Sequence, residues 1–207
     1  MYILSVPLML EQVDRYGAQV YIDKLKEIGA QKVFLARNSY QQDSFLAQKE
    51  FDALKKHVPV FQKAGFEVGA WLWTFQVLGD NNFTHITSPN GAVSKKQVCP
   101  SDQEFVAFMQ EYLKNIAKSN PDIILFDDDF RYGFLDCGLG CACKNPRAYM
   151  EQILGEKLPE ENLGELILGG AKNKYRSAFL KANGHFFREF AKKEYFDNKK
   201  RPLVGAV

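Results

Sequence analysis

The sequence predicts an α/β fold, the N-terminal portion of a (β/α)8 TIM barrel. Three observations predict it. Short β-rich runs alternate with stretches of helical period along the whole chain, one apolar strand ends in a row of aspartates, and no Gly-rich phosphate-binding signature follows the first strand. The missing signature weighs against the alternative, an open doubly wound sheet. A barrel of this kind takes about 250 residues, whereas the 207 residues here supply little more than the first half. The expectation is one domain over 1–207, stopping partway round a barrel as a fifth strand begins.

Tyr2 to Leu10 is apolar and β-rich and suits a first strand ending near Met9. Val20, Ile22, Leu25 and Ile28 then fall at helical spacing, and Gly29 is placed to stop that helix. Lys32 to Ala36 reads as the second strand. A helix follows from near Asp43 with Phe51, Leu54, Val58 and Phe61 on one side, and Pro59 is expected to kink or divide it. Gly65 closes that unit, and Glu67 to Phe75 reads as the third strand, with Trp71 and Trp73 on one face.

From Gly79 to Asp102 the chain is polar and turn-rich, and a loop of this length reads as a functional lid. Ser101 or Asp102 is placed to cap the next helix. Its Phe105, Phe108, Met109, Tyr112, Leu113 and Ile116 form the clearest amphipathic stripe in the sequence. Asn120-Pro121 ends it, and Asp122 to Phe126 is the fourth strand. Arg147 to Leu154 reads as a short helix, and Tyr175, Phe179, Ala182, Phe186 and Phe190 mark a longer one. Pro202 to Val207 is the start of a fifth strand. An unfinished sheet edge there is expected to pair with further residues of the same protein or with a second copy.

Composition is ordinary for a globular chain, 46% hydrophobic and 25% charged, and a net charge of +2 gives no electrostatic case for nucleic acid. The basic cluster Lys192, Lys193, Lys199, Lys200 and Arg201 reads as the solvated end of a helix. No stretch reaches the roughly 20 apolar residues that a membrane span takes. The first residues begin as a strand with no basic region ahead of them, so a cytoplasmic location is expected, with secretion as the alternative.

The chemistry is expected at the exit of the fourth strand. The carboxyl ends of parallel strands are where active sites collect, and Asp127, Asp128 and Asp129 crowd this one. Alternation puts Leu125, Asp127 and Asp129 on one face and Phe126 and Asp128 on the other. The structural alternative is one aspartate capping a helix and another in solvent. Arg37 and Asn38 sit at the end of the second strand, Trp73 near the end of the third, and Arg131 just past the acidic row. These are the candidate substrate-binding residues, with a salt bridge for Arg37 and interior packing for Trp73 as the plain alternatives. His85 has no partner visible in the sequence.

Cys137, Cys141 and Cys143 follow the acidic strand, and Cys99 ends the long loop after the third strand. In a barrel those two loops lie on the same face, so four thiolates can converge on a tetrahedral zinc. Unrelated reduced cysteines, or disulfides in a secreted chain, are the alternatives.

A cysteine followed by Pro-Ser-Asp and an amphipathic helix, then a strand ending in acidic residues, then Cys-x-Cys, resembles the barrel domain of family 42 β-galactosidases and related glycoside hydrolase-like barrels. The resemblance covers roughly Ser88 to Pro146. It implies that Cys99, Cys141 and Cys143 are ligands of a structural zinc, with Pro146 where the last cysteine stands in that family and Cys137 as its substitute. It also implies that Asp129 takes the position of the general acid/base, with a shorter side chain than the family's glutamate. Glycoside hydrolysis generally needs two carboxyl groups across the scissile bond, so the partner is expected from a later strand beyond residue 207, and these residues alone are expected to be inactive. Neighbouring aspartates raise one another's pKa, which suits an acid that stays protonated. Two readings compete: a divalent-metal-dependent lyase or aldolase that holds Mg2+ or Mn2+ on Asp127 and Asp129, and a carbohydrate-binding barrel without catalysis.

Overall fold

The computed structural model describes residues 2–37, 40–41, 44–78, 80–127, 135–170, 172–192 and 205–206. Along these the order is β1 (Ser5–Met9), α1 (Leu10–Tyr16), α2 (Ala18–Glu27), β2 (Lys32–Ala36), β3 (Tyr40–Gln41), α3 (Ser44–Lys63), β4 (Glu67–Leu72) and β5 (Val77–Leu78). Then come β6 (His85–Thr87), β7 (Val93–Val98), α4 (Gln103–Ala117), β8 (Ile123–Phe126), α5 (Lys144–Leu154), α6 (Leu163–Leu168), α7 (Lys174–Lys192) and β9 (Gly205–Ala206). The main sheet is parallel, in the order β1-β2-β4-β8-β9. Its neighbours follow chain order without the reversal that marks a doubly wound sheet.

In β2, β4 and β8 one face is fully covered and the other is less so. Leu35, Ala70 and Ile124 align across the sheet, as do Leu72 and Phe126, and all are buried. They meet the apolar stripes of the helices: Ile22 and Leu25 of α2, Leu54, Val58 and Phe61 of α3, and Met109, Leu113 and Ile116 of α4. The opposite rows, Phe34-Gly69-Ile123 and Ala36-Trp71-Leu125, carry half-buried Phe34, Ile123, Trp71 and Leu125. Gly69 is required there, because a Cβ would stand 2.3 Å from the Phe34 ring.

Several expectations change. α1 is a separate helix ahead of α2, turned by Gly17 at φ +85°, and the buried positions of α2 are Ala18, Ile22 and Leu25. Val20 and Ile28, expected on its apolar side, are exposed, since the buried positions 18, 22 and 25 define a face that leaves both outside it. α3 runs through Pro59 without dividing. β4 stops at Leu72, so Trp73 lies just beyond it. The segment expected as one long loop contains an antiparallel ribbon, β6 with β7, closed by a tight turn in which Ser88 N–H donates to Ala92 O at 2.8 Å. α6 was not marked by any periodicity. No helix among the described residues is long and apolar enough to cross a membrane.

α5, α6 and α7 form a smaller apolar cluster of their own, built on Met150, Leu163, Ile167, Phe179 and Ala182. It supports the loops that follow β8.

Candidate metal centre

Cys99, Cys141 and Cys143 meet, their sulfurs all within 4.8 Å of one another. Both loops leave the sheet at its carboxyl end, one after β4 by way of the ribbon and one after β8. Cys99 and Cys141 are fully buried and Cys143 is 8% exposed. Ile86 of β6 joins all three in one buried cluster.

The local hydrogen bonds explain the convergence. Cys99 N–H donates to Thr84 O at 2.8 Å, which ties its loop to the ribbon. Ala142 N–H donates to Thr87 O at 2.6 Å, which ties the other loop to the same ribbon. Asn183 of α7, itself buried, clamps Cys141 by accepting from its N–H at 2.7 Å and donating to its C=O at 3.0 Å. Gly140, at φ +66°, passes so close to α7 that a Cβ would lie 2.4 Å from Phe179. Asn145 donates to Ser101 O at 3.0 Å, joining the start of α5 to the Cys99 loop.

Asp102 does double duty beside the cluster. One oxygen caps α4 by accepting from Phe105 N–H at 2.9 Å, and the other accepts from Thr84 N–H at 2.6 Å. Burial raises its carboxyl, but these backbone donors outweigh that and hold it below the usual range. Asp102→Ala is therefore expected to cost at least about 1–2 kcal/mol by urea denaturation at neutral pH. The folded pKa is depressed, so this contribution is complete above the unfolded value and is lost as pH falls through the folded one. The gap between wild type and variant should then narrow in acid; a gap equally wide at acid and neutral pH would rule out the charged cap.

The three thiols share charge. Hydrogen bonds with Cys141 and then Cys99 hold the Cys143 thiol down to about 3. Cys141 is pushed up by its hydrogen bonds to Cys143 and Cys99 and by burial. For Cys99 the Cys141 contact lowers the pKa, yet the bond to Cys143 and burial together push it up to about 12. One thiolate sits easily in the pocket, and further deprotonation calls for a cation. The donor set fits a thiolate metal: bonds of about 2.3 Å in a tetrahedron place sulfurs roughly 3.8 Å apart, and Cys143 and Cys99 lie at 3.6 Å. The Ser101 hydroxyl adds a polar contact to Cys99 at 3.0 Å.

Cys137 packs at the rim of the cluster, half-buried, with its thiol 3.8 Å from Ile86 O, outside the group of three. Burial and then the Asp136 charge raise its pKa. Pro146 occupies the first turn of α5, where a missing N–H is harmless.

At the carboxyl end of the sheet, Asp127 follows β8 and is half-buried, its N–H donating to Leu72 O at 2.8 Å. Arg37 follows β2 and is buried. Its guanidinium pairs with Glu50 of α3 and lies 4.7 Å from the centre of the Tyr112 ring of α4. Trp73 is half-buried and packs on the main core. Asn38, Asp128, Asp129 and Arg131 lie outside the described residues, as do Lys193, Lys199, Lys200 and Arg201. His85, given no partner from sequence, bridges Ser94 O of β7 at 2.8 Å and Asn81 Oδ1, ahead of the ribbon, at 3.2 Å. Asn183 was missed because nothing local distinguishes it from any polar residue on a helix.

Fold and cluster together define an α/β protein with a parallel sheet and three buried cysteines placed to hold a metal ion. No family model matches the chain, and no curated protein matches it. Membership of family 42 therefore has no support from these comparisons. Among solved structures, the chain is similar to a GH31 dextranase from Flavobacterium johnsoniae complexed with glucose, at 10% identity and a TM-score of 0.39, over 94% of this chain and 25% of that one. The chain spans about a quarter of that protein's length, and the likeness is too slight to define a fold or a reaction.

Proposed function

We propose that the chain is part of a (β/α)8 barrel that hydrolyses O-glycosidic bonds, with its acid at the exit of β8 and its loops pinned by a structural zinc. The observation that carries this reading is the convergence of Cys99, Cys141 and Cys143, the three positions at which the resemblance implies metal ligands. The sequential strand order and the half-buried apolar face of the sheet are what the interior of a barrel would supply. Cys137 or solvent would supply the fourth ligand. In this reading Asp129 protonates the leaving oxygen, Asp127 holds it or binds a sugar hydroxyl, and a carboxylate beyond residue 207 acts as the partner. Asp128 sets the charge of the row, and Asn38, Trp73 and Arg131 contact substrate. Arg37, packed on Glu50, supports the strand end from behind.

The test is hydrolysis of a panel of 4-nitrophenyl glycosides by the whole protein that contains this chain. Asp129→Asn is expected to lower kcat at least about 100-fold, with the melting temperature unchanged. Equal turnover in the variant, or activity that depends on added Mg2+ and vanishes with a chelator, would remove the glycosidase reading.

A further inference from the structure

The stretch from Cys141 to Ala182 has little core of its own. Of the eight buried residues in its cluster among the described residues, three are alanine. Units this small generally need a disulfide, a metal or a partner to hold their shape. Polar contacts at the far end of the stretch turn inward: Lys174 and Tyr175 reach Glu156 at 2.7 and 3.0 Å, and Arg176 Nε donates to Ile167 O at 2.7 Å. Between the stretch and the ribbon turn lies a cavity of about 350 Å3 lined by Ser88, Asn90, Glu160 and Asn162, so that contact is incomplete.

The bonds that join the stretch to the rest of the fold gather at the knuckle from Cys141 to Asn145. Ala142 N–H donates to Thr87 O at 2.6 Å, Asn145 Nδ2 donates to Ser101 O at 3.0 Å, and Cys143 Sγ lies 3.6 Å from Cys99 Sγ. A metal ion on the three thiols would tighten this same joint, where the two loops already meet.

α7 crosses the joint. Its first half gives Ala178, Phe179 and Ala182 to the small cluster, whereas Phe190 belongs to the main core, with Phe187 packed on it. Asn183 and Gly184 stand between the halves. Asn183 is 6% exposed; it accepts from Cys141 N–H at 2.7 Å and donates to Cys141 O at 3.0 Å and to Phe179 O at 2.9 Å. An amide side chain can accept and donate at once, which a carboxylate cannot. Glycine is the poorest helix former short of proline, and crowding does not call for one at 184: a Cβ would meet only the exposed Arg188 guanidinium, at 3.1 Å, which can swing aside. The helix is therefore weakest at the residue beside the clamp.

We propose that α5, α6 and the first half of α7 form a flap locked to the rest of the fold by the metal centre, with Asn183 as the positioning residue that couples the lock to α7 and Gly184 as the hinge. With metal bound the flap is closed. With metal withdrawn it opens as a unit while the main sheet and its helices stay folded. The connection that carries the acidic row out of β8 runs directly into the knuckle, so opening loosens the chain that follows that strand. The proposal rests on the metal part of the reading above and is independent of its glycosidase part.

The experiment is hydrogen–deuterium exchange read by mass spectrometry on the whole protein that contains this chain, zinc-loaded and after zinc removal with EDTA under reducing conditions. Zinc removal is expected to speed exchange at least about tenfold in peptides from 144–182 and to leave those from α2, α3 and β4 unchanged. Asn183→Ala is expected to weaken zinc binding about tenfold or more, measured by competition with a chromophoric chelator, and to speed exchange in 144–182 even at saturating zinc. Gly184→Ala leaves the clamp and the thiols in place. It is expected to slow exchange of the same peptides about fivefold in the zinc-free protein, and it tests the hinge should Asn183→Ala fail to fold. Exchange in 144–182 indifferent to zinc, or a rise spread evenly over α2, α3 and β4 as well, would overturn the lock while leaving the bound metal in place. Zinc-free exchange unchanged by Gly184→Ala would overturn the hinge. No zinc uptake at all would overturn the lock and the metal part of the proposed function together.

Discussion

Replacing Cys141 with serine is expected to strip zinc from the chain and to lower its melting temperature by about 10 °C or more. A serine hydroxyl does not ionise at neutral pH and makes a poor zinc ligand, so the substitution removes one thiolate with almost no change of volume. Cys141 is the member of the cluster most completely built in: fully buried, and clamped on both sides of its peptide by Asn183. Loss of the metal would leave Cys99 buried with no cation to favour its thiolate. It would also release the joint between the loop after β8 and the loop entering α4, since Cys99 adjoins the Asp102 cap. The measurement is metal content of chain purified without chelator, paired with thermal melts. About one zinc per chain in the wild type is expected, with none in the variant. Cys137→Ser is the informative companion: retained but weaker zinc makes Cys137 the fourth ligand, and unchanged zinc gives that position to solvent. Fully titratable thiols and no metal in the wild type would discard the centre altogether, and with it the main support for the glycosidase reading.

Phe105→Ala is expected to destabilise the fold by about 3–5 kcal/mol, a fall of roughly 10 °C in melting temperature. Phe105 is fully buried and stands where three parts of the chain meet. Its ring stacks on Phe190 of α7 at 6.0 Å, lies 5.5 Å from Phe83 ahead of the ribbon, and 6.4 Å from Phe75 beyond β4. Removing it leaves a cavity bordered by large rings, which cannot close over the gap without losing their contacts with one another. Phe105 also donates its N–H to the Asp102 cap, whose own N–H donates to Cys99 O. Urea denaturation should show an unchanged slope and a lower midpoint. Phe105→Leu should cost markedly less, since most of the volume is kept; equal losses for both would mean that the aromatic contacts, and not the volume, dominate.

Periodicity carried most of the secondary structure. Phe105, Met109, Tyr112, Leu113 and Ile116 of one stripe and Phe51, Leu54, Val58 and Phe61 of the other are buried as their spacing requires, with Phe108 partly so, and the apolar run before Asp127 is a parallel strand. These patterns are local, so a single chain displays them. The ribbon of β6 and β7 escaped because Val93 to Val98 includes two lysines and alternates weakly, so turn residues masked it. α6 escaped because six residues are too few to establish a period.

The site was legible in part for the same reason. A loop with one cysteine and a loop with three, each following a strand of one parallel sheet, had to emerge at the same end, so the sequence by itself brought Cys99 near Cys141 and Cys143. Which thiols meet was decided by tertiary contacts: Asn183 grips Cys141 across 42 positions of chain, while Cys137 is left at the rim. The tertiary structure likewise turned Arg37 from the strand end onto Glu50 and Tyr112. A side chain's residue type and the end of the strand it leaves are properties of the sequence. The direction it takes depends on which helices pack beneath it, and those partners are far away along the chain.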